Sequence, residues 1–331
     1  MTVHPHLAVV GAGIAGLSCA TRLQQEGCRV SLFDKSRGPA GRMSTRRGDG
    51  WQCDHGAQYF TARDPDFRAE VSRWQEAGVA GVWTPRLQIL GGAGAHHPDP
   101  AVERFVGLPR MTAPASFLAD SLALTRQTTI RELQRRPDGW SLRSAEKGWL
   151  AGGYTAVLIA LPAPQALALL QPLAPDLAAV AASARMRCCW ALMLRFATPV
   201  ELPFGAAFVN QGPLRWVARD SSKPRRSGQE TWLLHASAEW SEAHVEADAD
   251  SVAGVLQQAF QQMGGPAAVA STAHRWRYAD SERPLDAGCA WDAQLGVGLC
   301  GDWLNGGKVQ GAWGSGRQLA LAVLPAYRRF G

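Results

Sequence analysis

The stretch LAVVGAGIAGLSCATRLQQEGCRVSLFD, Leu7 to Asp34, constrains the fold more than any other part of this 331-residue chain. An apolar run of strand length is followed by a glycine-rich turn, an amphipathic helical pattern and a second apolar run, which together read as one βαβ unit. The turn carries Gly11, Gly13 and Gly16 in G-x-G-x-x-G spacing. Gly11 serves the tight turn, Gly13 lets backbone approach a pyrophosphate, and Gly16 lets the helix pack tightly on the strand. The phosphate would then rest at the helix N-terminus, making Ala12, Ile14 and Ala15 contact candidates alongside the glycines. Asp34, where the second strand ends, is placed to accept hydrogen bonds from an unphosphorylated adenosine ribose. NAD and FAD both have one, so this unit alone leaves the dinucleotide open.

The rest of the composition bounds the class. With 46% hydrophobic and 19% charged residues the chain reads as globular, without the signature of extensive disorder or of a fibrous repeat. Its length suits two domains, because single cores stop growing near ~250–300 residues, and equally one fold with an inserted lobe. The formal charge of +6 comes from scattered Lys and Arg with small knots at Arg46-Arg47, Arg135-Arg136 and Lys223 to Arg226. That pattern reads as a basic surface rather than a nucleic-acid interface. Seven cysteines lack C-x-x-C spacing and any scaffold pattern, which fits a reducing compartment. The N-terminal apolar run is broken by glycines and lacks a basic n-region, so neither a leader nor a membrane span is expected, and the cytoplasm is the expected location.

Immediately after Asp34 comes KSRGPAGRMSTRR, a second glycine-containing, basic segment. Near the far end lies GLCGDWLNGGKVQGAWGSGRQLA, again dense in glycine. These segments, with DHGAQYFT (Asp54 to Thr61) and TAVLIALPAP (Thr155 to Pro164), resemble the FAD-containing amine oxidase superfamily. One departure is Ala40, which stands where the family's G-G-R segment has its first glycine. The resemblance implies an α/β chain, α+β overall: a Rossmann-type FAD-binding domain and a discontinuous second domain of mixed or antiparallel sheet plus helices. The boundaries expected are 1–60, 110–165 and 285–331 for FAD, and 61–109 and 166–284 for substrate. FAD held non-covalently would touch Gly11 to Gly16, Asp34, Lys35, Gly41, Arg42, Met43, Gln58, Tyr59, Ile130, Gly301, Asp302, Val309 and Gln310. Val309 and Gln310 open a helix expected over 309–324, whose N-terminal partial charge would stabilise a reduced flavin by about 0.3–2 kcal/mol.

Within that superfamily GRMSTRR, RWVARDSSKPRR, WLLHASAEWS and GDWLNGGKVQGAW look like the renalase-type oxidases. Such a resemblance implies oxidation of 2- or 6-dihydro isomers of NAD(P): hydride passes to flavin N5, NAD(P)+ leaves, and dioxygen is reduced to hydrogen peroxide. Hydride loss from a dihydropyridine forms an aromatic pyridinium directly, so no strong general base is demanded. Tyr59, Trp216, Arg219 and Trp276 are the substrate-binding candidates, and His235 is a substrate-positioning candidate at the catalytic site. Arg219 and Asp220 read either as a phosphate or ribose contact or as a surface ion pair. His96-His97 reads as an exposed loop pair, Cys188-Cys189 as core, and no metal site is expected. An amine oxidase and a flavin-binding protein without turnover remain open alternatives.

Overall fold

The strand His6–Val10 and the strand Arg29–Phe33 lie side by side and parallel, joined by the helix Ile14–Gln25. This is the βαβ unit expected from the alternation of apolar runs and glycines. The structure is a computed structural model and describes residues 5–92, 99 and 101–327. The fold is mixed α/β and divides into two compact units.

The first unit comprises Met1–Arg42, Ala115–Met186 and Asp280–Gly331. Its main sheet has six strands in the order Ala290–Asp292, Val297–Leu299, Ala156–Ile159, His6–Val10, Arg29–Phe33 and Ala123–Thr125. All pairings are parallel except that of Ala290–Asp292 with Val297–Leu299. Parallel strands are covered on both faces, and these read accordingly as uninterrupted apolar runs. Ala8, Val10, Val157, Ile159 and Leu299 meet the helices Ala163–Leu170 and Pro175–Ser183 and an antiparallel sheet of Ile130–Arg136, Gly139–Ser144 and Gly148–Trp149. The C-terminal helix Lys308–Tyr327 packs along Ile14–Gln25.

The second unit comprises Met43–Pro114 and Arg187–Ala279. Its sheet runs Ala270–Ser281, Met186–Phe196, Glu230–Ala236, Leu214–Arg219, Ala206–Val209 and Leu87–Leu90. Strand alternation explains its two faces. Trp232, Leu234 and Ala236 join Leu192, Leu194 and Val217 in a core closed by Val252, Leu256 and Phe260 of the helix Ala249–Gln262. Leu233 and His235, pointing the other way, face the hairpin Thr45–Gly48/Trp51–Asp54 through Ala191, Met193 and Cys53. The hairpin therefore packs with this unit, so the boundary expected near residue 60 falls at 42–43, and residues 166–186 join the first unit. Among the described residues no helix is long and apolar enough to cross a membrane.

Candidate cofactor cradle and substrate face

The cradle is built from the first turn of the chain. Gly11 has φ 106°, and a Cβ there would lie 2.5 Å from the Ala160 carbonyl oxygen, so only glycine fits. A Cβ on Gly16 would fall 1.9 Å from the Gly11 carbonyl oxygen, which is the close helix–strand approach expected of the third glycine. Gly13 is different: nothing lies within 4 Å of its missing side chain. It is also the N-cap of Ile14–Gln25, with no side-chain cap and no acidic residue in the first turn. The amides of that turn have no intrahelical acceptors, and an anion placed there meets both the N–H groups and the helix dipole.

Asp34 sits at this turn as expected, with a partly committed carboxylate. Its Oδ2 accepts from Ala12 N at 2.6 Å and its Oδ1 from Ser36 N at 2.7 Å. Each oxygen keeps a further lone pair for a hydroxyl. Ala40 N donates to Ala12 O at 2.9 Å, bringing the second glycine segment against the first. Ala40 does so at φ 110°, the left-handed region where its methyl group is strained and glycine would not be. Lys35 is exposed, and Met43 and Ile130 are buried, the latter in the core.

Arg42 and Asp302 join the two ends of the sequence. Nη2 donates to Oδ1 at 2.6 Å and Nη1 to Oδ2 at 3.1 Å, a forked pair in which Asp302 is buried. Gly301 N donates to Ser315 Oγ at 2.9 Å, fixing the strand end to the C-terminal helix. Val309 and Gln310 lie in the first turn of that helix, which carries no acidic residue. Ser18 Oγ donates to Trp313 O at 2.8 Å, and a Cβ on Gly316 would lie 2.1 Å from Ala15 O, so the two helices are in backbone contact.

In the second unit one sheet face gathers the aromatic candidates. Trp216 and His235 are register partners on neighbouring strands. Tyr59 lies 5.6 Å from Trp216, centroid to centroid. His235 Nε2 donates to the His55 carbonyl at 3.2 Å, and Trp276 Nε1 donates to the same oxygen at 2.8 Å. The His55 ring lies 4.8 Å from His274 and 5.0 Å from Trp276. Burial, then the neighbouring His274 and Arg46, pushes the His55 pKa down to about 3; burial and Arg46 push His274 down to about 4. Both rings are therefore neutral at physiological pH. His55, His274 and Arg46 were not among the site candidates read from the sequence, although the H-x-W alternation of His274 and Trp276 on one strand places both on one face.

Beside this face lies a dry ionic quartet. Lys223 Nζ donates to Asp220 Oδ1 at 2.6 Å and to Asp54 Oδ2 at 3.0 Å, and Arg226 Nη2 donates to Asp54 Oδ2 at 2.5 Å. The Lys223, Asp54 and Asp220 side chains are 0% exposed. Thr45 Oγ1 and Met111 N satisfy Asp54 Oδ1. Burial pushes the Asp54 carboxyl up, but Lys223 and Arg226 outweigh it and bring the pKa down to about 2. Burial and the Asp54 charge hold the Asp220 carboxyl above its ordinary value, while Asp220 and Asp54 overcome burial and raise Lys223.

Here the structure differs from the sequence reading. The knot Lys223 to Arg226 is not basic surface at Lys223 and Arg226, because carboxylates from elsewhere in the unit pull both inside. Asp220 pairs with Lys223, and Arg219 pairs with Glu230 at 2.7 Å, so the two do not form a surface pair. The charge of Arg219 is already met by Glu230. Gln58 donates to Asp54 O and accepts from Lys223 Nζ at 3.5 Å, committing its amide to the quartet. His96 and His97 lie outside the described residues. Among the described residues no group of three or more His, Cys, Asp or Glu is arranged to hold a metal. Cys289 is half-buried, and burial followed by Cys300 pushes its thiol up to about 11.

Residues 9–74 match the family model of the NAD(P)-binding Rossmann-like domain. The chain is 29% identical over 201 residues to the tRNA 5-methylaminomethyl-2-thiouridine biosynthesis bifunctional protein MnmC of Magnetococcus marinus; the match covers 46% of this chain and 29% of that protein. The chain thus spans less than a third of that relative's length. Among solved structures, a provisionally assigned protoporphyrinogen oxidase from Exiguobacterium sp. 255-15 superposes with a TM-score of 0.78 at 12% identity, covering 98% of this chain and 99% of that one. Cyclohexylamine oxidase from Brevibacterium oxydans superposes with a TM-score of 0.74 at 12% identity over 99% and 100%. Residues 9–74 thus match a Rossmann-like domain, the class of fold to which the glycine turn and its βαβ unit belong. More particularly, the chain shares its fold with these solved oxidases over nearly its whole length.

Proposed function

We propose that this protein is a flavin-dependent oxidoreductase, renalase-like, that holds FAD non-covalently and oxidises 2- or 6-dihydro isomers of NAD(P), with dioxygen as the final acceptor. The fit of FAD rests on the cradle: a side-chain-free approach at Gly13, an uncapped helix N-terminus, a carboxylate at Asp34 with lone pairs to spare, and a second helix start, at Lys308 to Gln310, without an acidic residue. FAD, when bound, supplies a two-electron acceptor that dioxygen can reoxidise. Gly11 to Ala15 would hold the pyrophosphate and Asp34 the adenosine ribose. Arg42 would hold Asp302 in one orientation for the hydroxyls of the ribityl chain.

The observation that favours a dihydronicotinamide over an amine is that the imidazoles of the second unit's aromatic face are neutral and positioned beside Arg46. His55 and His274 stay uncharged, and the carboxylate that acts on His55, that of Asp54, is held by Lys223, Arg226 and Thr45. A substrate that leaves as a pyridinium after hydride loss asks these residues for orientation and water exclusion, not for proton removal. His235, with Nε2 pinned to the His55 carbonyl, orients rather than exchanges protons at that atom. The test is anaerobic mixing of the yellow protein with borohydride-generated dihydronicotinamide isomers, beside a panel of amines, in a stopped-flow spectrometer. Rapid bleaching by a non-4 isomer, reversed by air with peroxide formation, supports the proposal. Bleaching by amines alone replaces it with amine oxidation, and a protein that neither class reduces is a flavin-binding protein without this turnover.

A further inference from the structure

The hydrogen bonds of the second unit's face fix which ring nitrogens carry protons. A guanidinium only donates, and Arg46 Nη2 lies 3.0 Å from His274 Nδ1, so Nδ1 is the acceptor and the neutral ring carries its proton on Nε2. The same logic assigns the His235 proton to Nε2, spent on the His55 carbonyl together with the indole N–H of Trp276. Among the described residues nothing accepts from His274 Nε2–H. At the other side of the face Trp216 is 5% exposed, and its indole N–H is buried without an acceptor among the described residues. Leaving such a donor unmet is costly, which is relieved if a ligand supplies the acceptor. His55 Nδ1 is likewise buried and unmet.

We propose that His274, oriented by Arg46, donates a hydrogen bond to an oxygen of the substrate, and that His274 and Trp216 together select a planar ligand bearing a carbonyl or carboxamide over a protonated amine. This rests on the reading above that the face receives substrate, and it adds the residues that choose the substrate's chemistry. Strand order places His274 and Trp216 three strand spacings apart, with His235 between them. At about 4.8 Å per spacing the strands that carry the two donors are roughly 14 Å apart, enough for a ring and the sugar attached to it. The Arg46 guanidinium beside His274 and that of Arg104, 5.6 Å from the Tyr59 ring centre, both repel an ammonium ion and attract a carbonyl oxygen. Aromatic surface for ring contact comes from Tyr59, Trp216 and Trp276.

The test uses the FAD-loaded protein with benzamide and benzylamine as probes in titration calorimetry. Benzamide is expected to bind at least tenfold more tightly than benzylamine. His274→Ala should weaken benzamide about tenfold with FAD content and melting temperature unchanged, whereas His274→Gln, which keeps an amide donor, should recover most of the affinity. Nitrogen-15 NMR should report the Nε2–H tautomer of His274 in the wild type and in Arg46→Lys, and a mixture in Arg46→Ala. Tighter benzylamine binding, no detectable benzamide binding, equal benzamide affinity in His274→Ala, no recovery in His274→Gln, or an Nδ1–H tautomer in the wild type would each overturn the proposal. The outcome is separable from that of the flavin-bleaching assay: benzamide selection can hold when dihydronicotinamide isomers fail to bleach, and the converse.

Discussion

Replacing Lys223 with methionine removes one charge from a site closed to bulk solvent, where little screens what is left. The four groups Lys223, Arg226, Asp54 and Asp220 sum to zero charge, with Nζ within 2.6 and 3.0 Å of the two carboxylates and the Lys223, Asp54 and Asp220 side chains 0% exposed. At an effective dielectric near 20, a contact of this kind is worth about 4 kcal/mol of Coulomb energy, much of which offsets desolvation. Methionine keeps the stem and deletes the charge, leaving two buried carboxylates with Arg226 alone. The expected loss is about 3–5 kcal/mol, the range for breaking a buried pair from one side. The double variant Lys223→Met/Asp220→Asn restores neutrality around Asp54 and Arg226, so its loss should be smaller than that of Lys223→Met alone.

Urea unfolding followed by circular dichroism supplies both values, with the slope checked for equality between variants. The pH dependence gives an independent sign. In the wild type the lowered pKa of Asp54, about 2, contributes stability that is present above the ordinary carboxylate value and lost as pH falls toward 2. In Lys223→Met, Asp220 loses its main counter-charge and its pKa rises further, so stability held at low pH should fall as pH rises through that raised value. A single-variant loss below about 1 kcal/mol, or a double variant no more stable than the single, would refute the reading of a dry, charge-balanced cluster.

Three further outcomes are expected. His55, with its pKa lowered from 6.5 to about 3, binds a proton in the unfolded but not the folded chain across that window, so acidification to pH 5 should cost roughly 2 kcal/mol at this site, and His55→Phe should flatten the stability profile between pH 6.5 and 4. Ala40→Gly removes the strain of a methyl group at φ 110°, about 1–2 kcal/mol, against about 0.5–1 kcal/mol of added chain entropy; a raised melting temperature is expected, and an unchanged or lowered one would contradict the strained geometry. Gly16→Ala drives a Cβ to within 1.9 Å of the Gly11 carbonyl oxygen, so the turn must shift, and the purified variant should show a much reduced flavin-to-protein absorbance ratio.

What the sequence disclosed tracks how local each determinant is. Gly11, Gly13 and Gly16 specify a turn, an open approach and a packed helix within six residues, and the backbone angles and close contacts follow from that spacing. Ala40 could be read in the same way: an alanine where the pattern wants glycine becomes an alanine at positive φ. Lys223 was opaque because its burial depends on Asp54, 169 residues away. Within its own segment, SSKPRRSG, every cue is that of a solvated loop. Tyr59, Trp216, His235 and Trp276 could be nominated one by one, but their shared face becomes visible only when strand order brings His235 and Trp276 to one carbonyl, that of His55.

The glycine-rich segment near the end of the chain now has a mechanical role beside any contact with the cofactor. Its helix lies against the first helix closely enough that Gly316 admits no side chain, and Ser18 and Trp313 share a hydrogen bond across the seam. The two helix N-termini that would meet the charged portions of FAD are therefore positioned by one another, with the Arg42–Asp302 fork tying their approach segments together. Displacing one helix strains the other, so the cradle should form or fail as a unit. A ligand spanning both ends stabilises that unit by RT ln(1 + [L]/Kd), which makes the cradle's melting temperature dependent on FAD concentration. A substitution such as Gly316→Ala should then lower flavin occupancy although residue 316 lies well along the helix from the pyrophosphate turn.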